Sequence, residues 1–163
     1  MRVLVAAASK HGATLEIATV IGEELARAGI DARVEPLEDV RSVDDYDGVV
    51  VGSGIYAGHW LGAAKDFVDQ HATDLALRPL WLFSSGPLGD PLKPEEGPVD
   101  PAPIATQLGA RGHRVFGGRL DRSGLGLGER AIVGLVRAPD GDHRPWDEIR
   151  SWSAEIACEL QTG

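Results

Sequence analysis

The sequence predicts a doubly wound α/β fold, in which a five-stranded parallel sheet of order 2-1-3-4-5 carries helices on both faces. Short apolar runs, too brief for helices, alternate with segments whose apolar residues recur at helical spacing. The second run, Asp31–Leu37, alternates apolar and polar residues and contains Pro36, which is typical of an edge strand. A chain of 163 residues with 43% hydrophobic content is expected to form one domain, spanning residues 1–163.

Each element is assigned from its periodicity and from the turn residues that flank it. In chain order the predicted strands are Arg2–Ala7, Asp31–Leu37, Val49–Val51, Leu80–Phe83 and His113–Leu120. The predicted helices are Thr14–Ala28, Trp60–Ala72, Ile104–Ala110, Leu125–Val136 and Pro145–Leu160. Six prolines from Pro87 to Pro103 predict a long surface loop over the carboxyl edge of the sheet. Cys158, on the last helix, is predicted to lie in the core.

Three turns rich in glycine and serine follow the first, third and fourth predicted strands. Parallel strands place these turns at one edge of the sheet, and the strand order puts the topological switch point between strands one and three. We therefore expect the three turns to border one ligand crevice. Their candidate binding residues are Ser9, Lys10, His11, Gly12, Ala13 and Thr14 in the first turn, Ser53, Gly54, Ile55, Tyr56, Ala57 and Gly58 in the second, and Ser84, Ser85 and Gly86 in the third.

The first turn joins a buried strand to a helix, which favours an anion as its ligand. The backbone N–H groups of residues 10–14, the helix dipole and the hydroxyls of Ser9 and Thr14 would converge on one place, and Gly12 permits close approach. A phosphate is the most plausible occupant. A flat ring would lie between the other two turns, with Tyr56 as the stacking candidate and Trp60 as the alternative.

Several phosphate ligands are disfavoured because their motifs are absent. A dinucleotide site needs Gly-x-Gly-x-x-Gly in the first turn, where only Gly12 is present, and the glycines from Gly124 to Gly128 follow the last strand without that spacing. The Gly-Lys-Ser or Gly-Lys-Thr of nucleotide triphosphatases is missing as well. The strand ends at Ala6–Ala8 and Val51–Ser53 lack the carboxylates of a magnesium-dependent phosphoryl acceptor. A mononucleotide with one phosphate and a flat ring remains.

The amino-acid composition indicates which binding partners and which cellular compartment to expect. The 16 basic and 25 acidic residues give a formal charge of −9, which opposes binding to nucleic acid. The five histidines are scattered without ligand spacing, so no metal site is expected. The single cysteine fits a reducing compartment, and no charged leader or run of about eighteen apolar residues is present. We therefore expect a cytoplasmic protein without a transmembrane segment.

The turns resemble those of a known family. Ser9-Lys10-His11-Gly12-Ala13-Thr14 resembles the phosphate loop of flavodoxins, which holds the phosphate of FMN. Gly52–His59 and Gly141–Trp146 are similar to segments of the flavodoxin-like branch that includes the menaquinone-dependent protoporphyrinogen oxidases. The resemblance implies FMN as the cofactor, held by the candidate residues of the three turns. The chain departs from the family at His11, where many flavodoxins have a hydroxyl residue, and in its third turn, which lacks a stacking aromatic residue.

The sequence is compatible with three functions. The first is an FMN-dependent oxidoreductase, a dehydrogenase or quinone-linked enzyme whose small organic substrate enters beneath the loop Pro87–Pro103. The second is an electron carrier that docks on redox partner proteins and has no substrate of its own. The third is a flavodoxin-like fold with weak flavin binding. The long loop and the apolar segment Leu125–Val136 favour the enzyme. His11 and His59 are weighed as proton-transfer groups, but no catalytic residue is assigned.

Overall fold

The computed structural model describes residues 1–86, 100–120 and 141–163. Strands and helices alternate along these residues. In chain order they are β1 (Arg2–Ala8), α1 (Ala13–Arg27), β2 (Asp31–Pro36), a 3-10 turn (Leu37–Asp39), β3 (Gly48–Tyr56), β4 (His59–Trp60), α2 (Gly62–Gln70), α3 (Ala72–Ala76), β5 (Leu80–Ser85), α4 (Pro101–Leu108), β6 (Gly112–Phe116), β7 (Arg119–Leu120), β8 (Gly141–Asp142) and α5 (Trp146–Thr162).

The main sheet has five parallel strands in the order β2-β1-β3-β5-β6. This is the predicted order 2-1-3-4-5, because the predicted fourth and fifth strands are β5 and β6. Two short antiparallel pairs were not predicted: β4 pairs with the end of β3, and β7 pairs with β8. The predicted fold class is therefore confirmed, and β2 lies at the edge, as its alternating pattern indicates.

Helices cover both faces of the sheet because successive residues of its central strands point to opposite sides. On one face Val3 and Val5 of β1 pack with buried residues of α1 and α5. On the other face Leu4 and Ala6 pack with residues of α2, α3 and α4. Each large apolar side chain buried in this way stabilises the fold by roughly 1.5–3 kcal/mol. The two apolar layers hold the carboxyl ends of β1, β3 and β5 side by side.

The strands β3 and β5 are longer than predicted, which corrects the boundaries of the second and third turns. Strand β3 continues through Gly52 to Tyr56, and β5 continues through Ser85. A Cβ on Gly52 would overlap the ring of Phe83 on the neighbouring strand, so this glycine makes room for a core aromatic side chain rather than for a turn. The predicted second turn is thus a strand end followed by a tight turn.

Several other boundaries were wrong. Trp60 belongs to β4 rather than to a helix, α2 begins at Gly62, and His71 separates it from the short helix α3. The predicted strand His113–Leu120 is divided between β6 and β7. In the break between them Gly118 lies so close to Gly86 that a Cβ on Gly118 would be 3.0 Å from the Cα of Gly86. The last helix runs on to Thr162.

Cys158 is exposed, so its predicted core position was wrong. On α5 the buried face carries Ile149, Trp152, Ile156 and Leu160. Cys158 lies two residues from both Ile156 and Leu160, and two residues on an α-helix turn the side chain by about 200°. The helical period therefore directs the thiol to the opposite, solvent-facing side.

Some predictions fall wholly or partly outside the described residues. They concern most of the loop Pro87–Pro103, the glycines from Gly124 to Gly128 and the helix Leu125–Val136. The end of the loop is described: Asp100 is followed directly by α4, which begins three residues before the predicted Ile104. Among the helices that the structure describes, none is long and apolar enough to cross a membrane.

Candidate functional site

The three predicted turns meet at the carboxyl edge of the sheet, because β1, β3 and β5 are neighbours there. The register pairs Ala8 with Ser53, and Ser53 with Ser84. The candidate residues occupy three places. Ser9, Lys10, His11 and Gly12 connect β1 to α1, whose first turn contains Ala13 and Thr14; Ser53, Gly54, Ile55 and Tyr56 end β3, and Ala57 and Gly58 follow; Ser84 and Ser85 end β5, and Gly86 follows.

The turn between β1 and α1 leaves space beside the helix N-terminus. Gly12 is the N-cap residue of α1 and has a φ of 88°, in the left-handed region that favours glycine. Of the described atoms outside its chain neighbours, none comes within 4 Å of the place that a Cβ on Gly12 would take. The Ser9 hydroxyl accepts a hydrogen bond from the Thr14 N–H at 3.2 Å and still has its own proton to donate. This segment can therefore receive an anion at the positive end of the helix.

Thr14 brings this turn against the end of β3. Its residue surface is 4% exposed, and its Oγ1 lies 3.2 Å from the place that a Cβ on Gly54 would take. Glycine at position 54 thus lets the first turn of α1 approach the strand closely. The neighbouring Ser53 hydroxyl accepts from the Leu61 N–H at 3.0 Å and donates to the Gly54 carbonyl at 2.8 Å. Since that side chain is engaged, Ser53 can offer a ligand its backbone groups only.

The β3–β4 hairpin places Tyr56 beside the first turn. Its two-residue loop has φ values of 51° at Ala57 and 79° at Gly58, as a type I′ hairpin turn requires. The Tyr56 ring is partly exposed, and the Lys10 ammonium lies 4.3 Å from the ring centroid. A cation over the face of an aromatic ring is attracted to it. Contact between Lys10 and Tyr56 therefore joins the first turn to the hairpin.

A buried hydrogen-bond chain supports the hairpin from below. Trp60 is 2% exposed, and its Nε1–H donates to the Ser84 Oγ at 2.8 Å. The Ser84 Oγ lies 3.0 Å from His113 Nε2. An indole N–H can only donate, so the Ser84 Oγ accepts from Trp60, and the direction of the Ser84–His113 hydrogen bond is set by the imidazole tautomer. Burial lowers the pKa of His113 below its ordinary value of 6.5.

This hydrogen-bond chain corrects one expectation about the ring-binding turns and limits what the third turn can offer a ligand. Trp60, the alternative stacking residue, is buried and cannot lie against a ligand ring. The hydroxyls of the third turn are also used internally, since Ser84 bonds Trp60 and Ser85 donates to the Gly117 carbonyl at 3.4 Å. The third turn is left with its backbone groups around Gly86 for contact with a ligand.

The Asp100 carboxylate, which the sequence did not single out, fixes the hairpin. Its Oδ2 accepts from the Trp60 backbone N–H at 2.8 Å and lies 3.2 Å from His59 Nδ1. The Lys65 ammonium lies 3.8 Å from the other oxygen. Asp100 precedes Pro101, and this pair signals a helix start. That signal predicts α4, but it cannot reveal contacts to residues about 40 positions earlier in the chain.

Arg144 was also missed, although the turn that contains it was noted for its resemblance. Its side chain is 4% exposed and donates to Asp142 through Nε at 2.9 Å and Nη2 at 2.8 Å. Its Nη1 donates to the Ala13 carbonyl at 3.2 Å and to Glu16 in the first turn of α1. The hydrogen bond with Arg144 holds the pKa of Asp142 below its ordinary value, although burial opposes the shift. No pattern in the sequence marks this arginine as buried.

Both a family model and a curated protein match this chain. The family model described as "Flavodoxin domain" matches residues 4–145. A curated relative, "Protoporphyrinogen IX dehydrogenase [quinone]" of Escherichia coli strain K12, is 35% identical over 86 residues, which are 52% of this chain and 48% of that protein. The chain thus spans about half the length of the curated relatives that it matches.

Solved flavodoxin structures have the same fold. A flavodoxin from the domain Archaea superposes with a TM-score of 0.66 at 19% identity, over 99% of each chain. Oxidised Flavodoxin 1 from Bacillus cereus superposes with a TM-score of 0.67 at 15% identity, over 97% of this chain and 98% of that one. At such low identity these likenesses establish the fold, and the family rests on the model match across most of the chain. The chain belongs to the flavodoxin domain family, which supports a redox function of the flavodoxin type.

Proposed function

We propose that this protein binds FMN at the carboxyl edge of its sheet and acts as an FMN-dependent oxidoreductase. The observation that carries the proposal is the N-terminus of α1, where Gly12 leaves space and the Ser9 hydroxyl lies 3.2 Å from the Thr14 N–H. An FMN phosphate fits this place because it accepts hydrogen bonds and carries negative charge, which a helix N-terminus favours. The family generally binds FMN, which agrees with this chemistry.

The proposed binding residues divide by role. Residues Ser9 to Thr14 would hold the phosphate through backbone N–H groups and hydroxyls, with the Lys10 ammonium on the same rim. Tyr56 would stack on the ring, for which the Lys10 side chain, now 4.3 Å from the Tyr56 centroid, has to move. Backbone groups of residues 53–58 and 84–86 would contact the polar ring edges, since the hydroxyls of Ser53, Ser84 and Ser85 are engaged internally.

Bound FMN would supply the electron transfer, and the protein would supply position and electrostatics. The apolar layers beneath the strand ends, with Trp60 at 2% exposure, exclude water from below the proposed ring site. We assign no catalytic acid or base. The exposed His59 side chain lies 3.2 Å from the Asp100 carboxylate. We interpret this contact as one that holds the hairpin.

The proposed substrate is a small organic molecule or a quinone. What favours an enzyme is the 35% identity to a protein named protoporphyrinogen IX dehydrogenase, although the match spans only about half of either chain. The alternative is an electron carrier that serves redox partner proteins, which the match to the flavodoxin domain family supports equally. A flavodoxin-like fold with weak flavin binding is a third candidate. The single cysteine suits a reducing compartment, and we place the protein in the cytoplasm.

The first experiment asks whether the protein binds flavin. The purified protein is examined for a visible flavin spectrum and then titrated with FMN while the FMN fluorescence is followed. Retained flavin, or a saturable change in fluorescence, is expected. A colourless protein that leaves the fluorescence of added FMN unchanged would contradict both redox functions and leave the third candidate.

The second experiment separates the enzyme from the carrier. The FMN-loaded protein is reduced chemically. Its reoxidation is then followed by stopped flow with a soluble quinone and, separately, with a redox protein that accepts electrons from flavodoxins. An enzyme is expected to be reoxidised by the quinone with saturation kinetics, which report a binding site. Rapid reoxidation by the protein acceptor, with a slow and non-saturating reaction with the quinone, would favour the carrier.

A further inference from the structure

Arg144 connects two helices at the carboxyl edge of the sheet. It lies between β8 and α5, and its guanidinium carbon is 4.5 Å from the ring centroid of Trp146, the first residue of α5. The same guanidinium donates to the Ala13 carbonyl and to the Glu16 carboxylate of α1. Ala13 follows Gly12 directly, so the arginine holds the helix turn next to the proposed phosphate place.

The charges around Arg144 balance, which indicates that the arginine acts through geometry. Arg144 and Arg119 carry two positive charges, and Glu16 and Asp142 carry two negative charges. Asp142 pairs with Arg144 through two guanidinium nitrogens, and Glu16 lies between both arginines, 3.6 Å from Arg119 Nη1. A neutral cluster contributes little net field at a neighbouring anion. Its hydrogen bonds, however, restrain the first turn of α1 in position.

We propose that Arg144 is a positioning residue of the phosphate site, because it fixes the first turn of α1 so that the N–H groups and hydroxyls of residues 9–14 converge on one point. The inference deepens the proposed FMN function and rests on it for its ligand. A fixed set of donors binds an anion more tightly than a mobile set, because less conformational entropy is lost when the anion binds. Arg144 itself does not contact the phosphate in this account.

A matched control exists at the opposite edge of the sheet. Arg78, just before β5, is also mostly buried, with a side chain that is 17% exposed. It donates to the Tyr46 carbonyl at 2.9 Å and to the Asp74 carbonyl at 2.6 Å, and it pairs with Asp44. Arg78→Gln therefore removes a comparable set of contacts far from the proposed phosphate place. Both Arg78→Gln and Arg144→Gln are expected to lower the melting temperature.

The test measures FMN and riboflavin affinity for the wild type, Arg144→Gln, Arg144→Lys and Arg78→Gln by fluorescence titration. Arg144→Gln is expected to weaken FMN binding about tenfold, as the loss of roughly one phosphate hydrogen bond from the displaced turn would produce, and to change riboflavin binding less than about threefold. Arg144→Lys, which keeps a cation, is expected to have an FMN affinity between those of the wild type and Arg144→Gln. Arg78→Gln is expected to leave the FMN-to-riboflavin ratio unchanged. An unchanged ratio in Arg144→Gln, or an equal change in Arg78→Gln, would overturn the proposal.

Amide hydrogen exchange of the ligand-free proteins separates this proposal from the proposed function. Exchange of residues 13–16 is expected to be faster in Arg144→Gln than in Arg78→Gln, relative to the wild type. If the wild type binds no FMN but this difference is observed, the proposed function fails and the positioning of α1 stands. If exchange at residues 13–16 is the same in the wild type and in Arg144→Gln, Arg144 does not position the turn, whatever the protein binds.

Discussion

On one side of the candidate site Arg144 restrains the first turn of α1, whereas on the other side Asp100 restrains the β3–β4 hairpin. The Arg144 side chain is 4% exposed and bonds the Ala13 carbonyl, while the Asp100 side chain is 17% exposed and bonds the Trp60 N–H. The charged partners are about equally exposed on both sides, with Glu16 and Asp142 at 50% and 42% and His59 and Lys65 at 56% and 43%. Surface ion pairs are weak and are screened by salt, so the hydrogen bonds to the backbone are the restraints that both sides share. The two sides thus differ in the part of the ligand that each is proposed to hold, the phosphate beside α1 and the ring beside the hairpin.

Removing the hydroxyls on the phosphate side should have the largest effect. We expect the double variant Ser9→Ala with Thr14→Ala to weaken FMN by about 100-fold, because two hydrogen bonds to a charged group are lost. Riboflavin, which has no phosphate, should change less than about threefold. Fluorescence titration with both flavins measures the difference, and equal losses for the two flavins would refute the phosphate assignment.

The hairpin side can be loosened at Asp100. Asp100→Ala removes the acceptor of the Trp60 N–H and should lower the free energy of unfolding by about 1–3 kcal/mol, the cost of a buried unpaired donor. FMN and riboflavin should weaken by the same factor, since the hairpin is proposed to hold the ring that both share. Asp100→Asn, which keeps an acceptor oxygen, is the control. Urea unfolding and flavin titration check both effects, and a selective loss of FMN would break the distinction between the two sides.

The contact between the two sides should contribute less free energy than the contacts described above. Lys10 and Tyr56 lie close enough for a cation–π interaction, which contributes about 0.5–1 kcal/mol at a partly exposed site. A double-mutant cycle with Lys10→Met, Tyr56→Leu and the combined variant isolates this coupling in the ligand-free protein. Urea unfolding provides the four free energies, and strictly additive single effects would show that the two turns are not coupled here.

The smallest expected effect is a change in pH dependence beneath the hairpin. The pKa of His113 is lowered by burial, so the unfolded chain takes up a proton at this residue near pH 6.5, before the folded protein does. Stability should therefore fall as the pH is lowered from 6.5 towards the folded pKa. His113→Gln keeps a hydrogen-bond partner for Ser84 and cannot titrate, so its stability should fall less over that range. Thermal unfolding at several pH values measures both slopes, and identical slopes would contradict the role given to His113.

The comparison also shows which features a sequence can reveal. The apolar run Val3–Val5 predicts a central strand because burial on both faces is a local pattern, and the spacing of α1 predicts its buried face in the same way. The position of the first turn follows from these two elements. The exposure of Cys158 could have been predicted too, since the helical phase of Ile156 and Leu160 was visible in the sequence.

Other features depend on residues that are distant along the chain. Gly52 looks like a turn residue until the ring of Phe83 is placed beside it. Arg144 acts on Ala13, 131 positions away, and Asp100 acts on Trp60, 40 positions away. A buried ion pair has no periodicity and no required spacing, so one sequence alone cannot distinguish it from a solvated pair. The restraints on both sides of the site were missed for this reason.

The proposed FMN binding depends most on the phosphate place at the N-terminus of α1, and a calorimetric titration of the wild-type protein with FMN and with riboflavin tests this place directly. The two flavins share the ring and differ in the phosphate, so their affinity ratio reports the contribution of the first turn. We expect FMN to bind at least about 100-fold more tightly, as two or more charge-assisted hydrogen bonds would produce. Equal affinities for the two flavins would contradict a phosphate site at the first turn of α1.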